Sequence, residues 1–140
     1  MKLLKRNPFA IRYIKYYSKE VALTALRLNG NTILFIRSND WYYSLYCIEA
    51  VKCTPSAIQY IEKPSEDACL TAVRQNGKVL QFIKNQTKNV CLEAVKQTGH
   101  ALEFVLNQDK EICTVAVKKT PNAIKHIRDK NLQFEISSEL

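Results

Sequence analysis

Glycine and proline are scarce in this sequence, with three and four residues among 140. So few turn-forming residues argue against a β-rich fold and against a disordered, low-complexity chain. Apolar residues make up 46% of the chain and charged residues 24%, as is usual for a globular protein. We therefore expect a folded, mainly helical chain.

Long apolar stretches are also missing. No segment approaches the roughly 18–20 apolar residues that a membrane-spanning helix needs. The basic opening segment MKLLKRNP has an apolar part too short for a signal peptide. We expect no membrane association and a protein that stays in the compartment where it is made.

The five cysteines form no CxxC pair, and four of them recur every 22 residues, at Cys47, Cys69, Cys91 and Cys113. Equivalent positions on stacked helices lie roughly 9–10 Å apart, whereas a disulfide requires Cα atoms about 4.4–6.8 Å apart. We expect buried free thiols that pack as small apolar groups, and a reducing, intracellular setting.

Motifs of enzymes are absent as well: the sequence contains no P-loop, GxSxG or HExxH. Its only histidines are His100, expected to be solvated after a turn glycine, and His126, expected to be a core or half-buried ring. We expect no catalytic residue, no metal and no cofactor.

What the sequence does contain is an internal repeat. Five copies of one pattern align, and a sixth has lost the start of its first helix: Ala22–Ile36, Cys47–Ile61, Cys69–Ile83, Cys91–Val105 and Cys113–Ile127, with Leu3–Ile14 as the truncated copy. The period is 22 residues, apart from one interval that is three residues longer. Self-similarity at such a period is the signature of a stacked helical array.

Each copy predicts two helices. The first has an apolar face such as Cys69, Ala72 and Val73, at i, i+3 and i+4. Its start is marked by a column of capping side chains, and its column of alanines allows close packing. The capping column is Ser18, Ser44, Ser65, Thr87 and Asp109, with Ser44 one place late; the alanine column is Ala25, Ala50, Ala72, Ala94 and Ala116.

A two-residue signal separates the helices of each copy, either with glycine, as in Asn76-Gly77, or with proline, as in Thr54-Pro55. Glycine predicts a left-handed C-cap, and proline a first helical position. The second helix is expected to make about two turns, for example from Lys78 to Asn85. It carries a column of rings expected in the core: Tyr13, Phe35, Tyr60, Phe82, Phe104 and His126.

The predicted fold is therefore all-α: a short α-solenoid of about five to six 22-residue two-helix repeats with a C-terminal capping helix. We expect one domain over residues 1–140, with a degenerate copy at 1–20, repeats over 21–130 and the capping helix over 131–140. Asn131 is the expected cap of that helix, where Glu135 and Glu139 replace cysteine and valine. Such short helices must be stabilised by stacking on their neighbours.

The pattern C-L-x-A-V-K-Q-x-G-x-A-L-x-F-V-x-N-Q is matched best by Cys91–Gly99 and Ala101–Val105, and nearly as well by Cys69–Gln86. It resembles a short-helix repeat family of unknown function that is abundant in giant DNA viruses and also occurs in some bacteria. The resemblance implies a helical-repeat fold and, for a viral chain, the host cytoplasm or a viral factory. It implies no activity, and it favours a scaffold only by analogy of fold.

A basic residue recurs near the end of each first helix. This basic ladder comprises Lys5, Arg27, Lys52, Arg74, Lys96 and Lys118. It could follow a phosphate backbone or an acidic surface. It could equally be structural, because a cation in the last turn is favoured by the helix dipole, and Glu49 and Glu93 interrupt the ladder.

Charge and aromatic residues are concentrated in the first third of the chain. Residues 1–46 hold eight Lys/Arg against two acids, a net charge of +6 out of +8, together with nine of the thirteen aromatic residues. Tyr13, Phe35 and Phe9 fit core or turn positions. The other rings gather in two loops with basic neighbours, and the second loop carries the three extra residues. The predicted binding edge is Lys15, Tyr16, Tyr17, Lys19, Arg37, Trp41, Tyr42 and Tyr43.

Aromatic and arginine side chains are typical of interface hot spots, although an inserted loop can also fold its rings back over the core. The preferred hypothesis is a non-enzymatic scaffold that binds an acidic protein through this edge. An alternative is a nucleic-acid-binding repeat that uses the same edge and the basic ladder. A third is end-to-end packing, because the truncated copy leaves Leu3, Leu4 and Phe9 short of a covering helix. The oligomeric state stays open.

Overall fold

The computed structural model describes residues 1–140 and contains helices but no strand. Seven α-helices alternate with six short 3₁₀ helices, which we label η. The α-helices are α1 (Lys2–Arg6), α2 (Lys19–Leu28), α3 (Tyr43–Cys53), α4 (Glu66–Gln75), α5 (Lys88–Gln97), α6 (Lys110–Lys119) and α7 (Lys130–Glu139). The 3₁₀ helices are η1 (Pro8–Tyr13), η2 (Gly30–Phe35), η3 (Pro55–Tyr60), η4 (Gly77–Phe82), η5 (Gly99–Phe104) and η6 (Pro121–His126).

The chain forms two compact units, Met1–Ala72 and Val73–Leu140. In the first unit α2 packs on α3 and η2 packs on η3; in the second, α5 packs on α6 and η5 packs on η4 and η6. Like elements of successive repeats therefore stack on each other. The predicted all-α fold of short two-helix repeats, a short α-solenoid, is confirmed. None of its helices is long and apolar enough to cross a membrane.

The second helix of each repeat is a six-residue 3₁₀ helix and is shorter than predicted. In the copy predicted to run from Lys78 to Asn85, η4 ends at Phe82, and the backbone N–H of Ile83 donates to the carbonyl of Leu80 at 3.0 Å. A 3₁₀ helix makes one turn every three residues, and both Leu80 in η4 and Ile83 directly after it are buried, 0% and 3% exposed. Six residues are therefore enough for two turns.

The column of rings lies at the rim of the repeats, so its assignment to the core was wrong for Tyr13, Tyr60 and Phe82, whereas His126 is half-buried as predicted. Tyr13 is 74% exposed, and Tyr60 and Phe82 are exposed as well, while Phe35, Phe104 and His126 are half-buried. The next residue, an isoleucine or valine in extended conformation, takes the core position instead in every copy but the first, where Ile14 is only half-buried. The rest of the core consists of the alanine column, each member 0% exposed, with the cysteines and branched aliphatic side chains.

The three glycines are needed for close approach and not for a left-handed C-cap. None has a positive φ. A Cβ atom on Gly30, Gly77 or Gly99 would lie 2.1, 2.4 or 2.3 Å from an alanine carbonyl oxygen of the next repeat. Each glycine N–H also donates to a side chain of that repeat, as Gly99 does to Thr120 Oγ1 at 3.1 Å. The glycines let the turn of one repeat touch the first helix of the next.

Four of the predicted helix caps are confirmed: Ser18, Ser65, Thr87 and Asp109 each accept from the backbone N–H three residues further on. The prediction that Ser44 caps the next first helix was wrong, because that helix, α3, begins at Tyr43. In this inserted loop Asp40 accepts from the N–H of Tyr42 at 2.9 Å, which sets the start of the helix earlier. The prediction that Asn131 caps the last helix was also wrong, because Asp129 caps α7.

The truncated copy is better covered than its sequence indicates. Its short helix α1 buries Leu4, which is 2% exposed, and the Phe9 ring meets the Phe35 ring edge-on at 6.1 Å. Only Leu3 stays open, at 62% exposed. The hypothesis of end-to-end packing assumed that Leu3, Leu4 and Phe9 lack a cover. This assumption holds only for Leu3.

Candidate functional site

Arg37 joins the two loops of the predicted binding edge, both of which lie in the first unit. Its backbone N–H donates to the hydroxyl of Tyr17 at 3.1 Å, and its guanidinium donates to the carbonyl of Lys15 at 2.5 Å. The guanidinium carbon also lies 5.9 Å from the centre of the Tyr16 ring. The structure thus brings Lys15, Tyr16, Tyr17 and Arg37 together across 22 residues of sequence.

Two further cations of the edge lie over aromatic rings. The Nζ atom of Lys15 is 5.5 Å from the centre of the Tyr16 ring, and that of Lys19 is 4.4 Å from the centre of the Tyr42 ring. A cation within about 6 Å of a ring centre is attracted by the ring quadrupole, by roughly 0.5–1 kcal/mol at exposed sites. Tyr16 and Tyr42 therefore hold basic side chains in place at the surface.

Exposure divides the rings of the inserted loop into two groups. Trp41 is 93% exposed and Tyr42 is 42% exposed, whereas Tyr46 is buried. Tyr43 is half-buried, and its hydroxyl forms a hydrogen bond with the thiol of Cys47. Burial, and secondly this neighbour, raise the pKa of Tyr43 to about 12. Tyr43 and Tyr46 thus serve the core, and Trp41 and Tyr42 form the outward part.

We define the basic–aromatic edge as Lys15, Tyr16, Tyr17, Lys19, Arg37, Trp41 and Tyr42. It keeps seven of the eight residues expected from the sequence. Each keeps its place for a local reason: Ser18 starts α2 directly after Tyr17, and Asp40 fixes the turn before Tyr42. Trp41 lies within that turn and makes no aromatic contact.

The basic ladder occupies the last turn of each first helix, as predicted. Two glutamates bridge four of its six members in pairs. Glu49 accepts from Arg27 at 3.4 Å and from Lys52 at 3.3 Å, and Glu93 accepts from Arg74 at 2.9 Å and from Lys96 at 3.1 Å. These hydrogen bonds, from Arg74 first and then Lys96, lower the pKa of Glu93.

Sequence reasoning missed two glutamine side chains that join repeats within the second unit. The amide of Gln86 donates to the carbonyls of Leu80, at 3.3 Å, and Phe104, at 2.9 Å, and its oxygen accepts from the N–H of Leu106 at 2.9 Å. Gln108 repeats this pattern one period later. The signal was present in the Asn-Gln pairs at 85–86 and 107–108, which recur every 22 residues.

Most of the cysteines and both histidines are placed by packing. Four thiols are buried as predicted, and only Cys53 is exposed. Burial raises the pKa of Cys47 and Cys113 to about 11, so these thiols are poor nucleophiles. His100 is half-buried instead of solvated, and its ring meets that of His126 edge-on at 5.9 Å. No group of three or more potential metal ligands occurs.

Comparison with known proteins bears on the repeats alone. Two segments, residues 65–108 and 87–133, match the model of a domain of unknown function (DUF4116). The two matches share residues 87–108, which is one 22-residue repeat. The match is to a repeat family of unknown function. No curated protein and no solved structure matches the chain.

Proposed function

We propose that this chain is a non-enzymatic protein-binding module whose basic–aromatic edge binds an acidic protein partner. The observation that carries the proposal is the combination of a fully displayed Trp41 with cations fixed over neighbouring rings. Tryptophan, tyrosine and arginine dominate the energetics of protein interfaces. Positioned cations add steering and selectivity for an acidic surface.

The same geometry favours a protein partner over nucleic acid. Single-stranded nucleic acid binds by stacking its bases on open aromatic faces. At this edge Lys15 and Arg37 lie over the Tyr16 ring, and Lys19 over the Tyr42 ring. No cation lies over the Trp41 or Tyr17 ring, and the Tyr17 hydroxyl already accepts from the backbone N–H of Arg37. The basic ladder offers little continuous positive charge, because glutamates pair with four of its members.

We further propose that the protein works in a reducing, intracellular compartment, since its buried free thiols need no oxidising environment. For a chain of viral origin, this compartment is the host cytoplasm or a viral factory. The partner itself is identified only by its chemistry, an acidic protein surface.

The test uses peptides selected from a displayed random library on the full chain, with fluorescence polarisation to measure their affinity. Trp41→Ala combined with Tyr42→Ala is expected to weaken the selected peptides at least tenfold, because an anchor and a cation platform are lost. Tyr60→Ala removes an exposed ring outside the edge and serves as the matched control. Circular dichroism checks that both variants stay helical.

Two outcomes would contradict the proposal. One is a double variant that binds the selected peptides as tightly as the parent. The other is a thymidine oligonucleotide that binds more tightly than any selected peptide and loses affinity steeply with salt, as phosphate contacts require. Because Trp41 is the only tryptophan, its fluorescence also reports directly whether the ligand covers the edge.

A further inference from the structure

Arg12 lies against two rings directly before the basic–aromatic edge. Its guanidinium carbon is 4.5 Å from the centre of the Tyr13 ring and 5.9 Å from that of the Phe35 ring. Tyr13 belongs to η1 and Phe35 to η2, and these 3₁₀ helices of successive repeats pack on each other. The edge itself begins three residues after Arg12, at Lys15, and two residues after Phe35, at Arg37. Arg12 therefore extends the row of ring-bound cations along the first unit.

The side chain of Arg12 is held in place from several directions. Its guanidinium donates to the Tyr13 hydroxyl as well as lying over the ring. The Phe35 ring is in turn supported edge-on by Phe9 at 6.1 Å. Arginine on aromatic faces is fixed without losing the outer side of its planar group. A ligand that binds Arg12 thus avoids much of the cost of ordering a long side chain.

Cations outnumber acids around Arg12. Residues 8–42, which contain η1, η2 and both loops of the edge, hold five cations and two acids. Arg27 pairs with Glu49. The acids, Glu20 and Asp40, pair with no cation, and four cations have no carboxylate partner: Arg12, Lys15, Lys19 and Arg37. Four unpaired cations against two acids favour an anionic ligand.

Among these four cations, Arg12 offers the most suitable group for a carboxylate. A guanidinium presents two parallel N–H donors that match the two carboxylate oxygens. Arg37 already donates to the Lys15 carbonyl at 2.5 Å, and the lysines carry an ammonium without such a fork. Arg12 donates only to the Tyr13 hydroxyl, so its other N–H groups have no partner within the protein.

The repeat fold does not require an arginine at this position. The equivalent residues of the other copies are Leu34, Gln59, Gln81, Glu103 and Lys125. The ring that follows recurs in every copy, yet the five cation–ring contacts all lie within residues 12–42. The guanidinium of Arg12 therefore serves something other than the stacking of repeats.

We propose, on the basis of the function proposed above, that Arg12 binds a carboxylate side chain of the acidic protein partner. Tyr13 and Phe35 position its guanidinium for this contact. The binding surface then extends from the basic–aromatic edge onto η1 and η2. Trp41 is its anchor, and Arg12 is the residue that selects an acidic side chain.

The test uses peptides that were selected on the full chain and lose affinity in the Trp41→Ala and Tyr42→Ala double variant. Arg12→Lys keeps the charge but removes the fork, and should weaken these peptides roughly tenfold, as the loss of a hydrogen bond between charged groups requires. Arg6→Lys changes an exposed arginine of α1 that forms no ion pair. This matched control should leave affinity within about twofold of the parent.

Amide replacements in the peptide identify the partner of Arg12. Each aspartate or glutamate is replaced in turn by its amide. One replacement should cost roughly tenfold in the parent and little in Arg12→Lys, which is the result expected of a direct pair. Tyr13→Ala should weaken binding in the parent but add little in Arg12→Lys, because Tyr13 acts through the guanidinium.

The outcomes separate a failure at Arg12 from a failure of the edge. If no selected peptide loses affinity in the Trp41→Ala and Tyr42→Ala double variant, the proposed function is wrong, and the role of Arg12 with it. If such peptides bind Arg12→Lys as tightly as the parent, or none of their carboxylates couples to Arg12, the edge stands and the role of Arg12 is overturned. Additive losses from Tyr13→Ala and Arg12→Lys would overturn the positioning role of Tyr13. Circular dichroism checks that each variant stays helical.

Discussion

Gly77 shows how a single hydrogen atom in place of a methyl group allows two repeats to stack. Its φ is not positive, so alanine could adopt its backbone conformation, but the added Cβ would lie 2.4 Å from the carbonyl oxygen of Ala94. That oxygen belongs to the next first helix and cannot move aside cheaply. The steric reason for glycine is therefore the neighbouring repeat, not the turn.

We predict that Gly77→Ala lowers the free energy of unfolding by about 1–3 kcal/mol, the usual cost of forcing extra volume into a packed site. Lys78→Ala, at the exposed next position of the same 3₁₀ helix, should change it by less than about 0.5 kcal/mol. Urea titration followed by circular dichroism measures both. Equal stability of the two variants would mean that the contact with Ala94 is not tight.

Asp109 acts at the same scale through its charge. Its carboxylate accepts from the N–H of Ile112 at 2.8 Å and pairs with Lys88 at 2.9 Å. The bond from Ile112 first, and Lys88 after it, lower the pKa of Asp109. A carboxyl group with a lowered folded pKa contributes stability above its ordinary pKa of about 3.9, and this contribution is lost as the pH falls through the folded pKa.

Asp109→Ala should therefore cost about 1 kcal/mol of unfolding free energy at pH 7, the usual value of a helix N-cap. The difference between parent and variant should begin to shrink at pH 3, below the ordinary carboxyl pKa of about 3.9, where the stabilising contribution of the parent's carboxylate starts to be lost. Asp109→Asn keeps a capping oxygen and should retain most of the stability at both pH values. A cost that does not depend on pH would show that the charge is unimportant. Chemical denaturation at the two pH values measures the unfolding free energies of the parent and both variants.

At the scale of elements, the glutamine bridges replace what a longer second helix would supply. A six-residue 3₁₀ helix leaves carbonyl groups at its end without helical partners. Gln86 bonds the carbonyls of Leu80 and Phe104, one from each of two successive 3₁₀ helices. Tyr17 is the equivalent residue in the first unit. Its hydroxyl accepts from the backbone N–H of Arg37, as the side-chain oxygens of Gln86 and Gln108 accept from the N–H groups of Leu106 and Arg128 in the second unit.

We predict that Gln86→Ala lowers the unfolding free energy by about 2 kcal/mol, because three backbone hydrogen bonds worth about 0.5–1.5 kcal/mol each, and a weaker one from the Cys91 thiol, are lost and water replaces them only in part. Hydrogen exchange at the Leu106 amide should accelerate. Gln81→Ala, which removes one local bond to the Lys78 carbonyl, is the control and should have little effect. A Leu106 amide that stays protected in the Gln86 variant would exclude the bridge as its support.

At the scale of the whole molecule, charge is distributed unevenly. Four cations of the basic ladder pair with glutamates, whereas the cations of the basic–aromatic edge lie over aromatic rings. Surface ion pairs such as Arg27–Glu49 are worth about 0–1 kcal/mol each and weaken with salt. The ladder is therefore a modest support of the repeats.

Replacing Lys52, Arg74 and Lys96 together by glutamine should lower the melting temperature slightly at low salt and by less at high salt. It should leave affinity for the peptides of the basic–aromatic edge unchanged. A several-fold loss of affinity for a thymidine oligonucleotide or for those peptides would instead place the ladder at the ligand. The parent and Lys125→Gln, an exposed cation outside the ladder, are the references.

The sequence by itself determined the period, the all-α class, the alanine column and most helix starts. These follow from side-chain spacing and from caps such as Ser18 and Thr87, whose partners lie three residues away. It also predicted seven members of the basic–aromatic edge, because loops at equivalent repeat positions must lie near each other.

The contacts between neighbouring repeats could be determined only from the tertiary structure. The glycine contacts, the glutamine bridges, and the pairing of Arg27 and Arg74 with glutamates join residues about 20 apart in sequence. The 3₁₀ form of the second helices and the outward turn of Trp41 against the inward turn of Tyr43 also depend on packing. Local patterns contain no information about which side chain of the next repeat lies opposite, so these features required the folded chain.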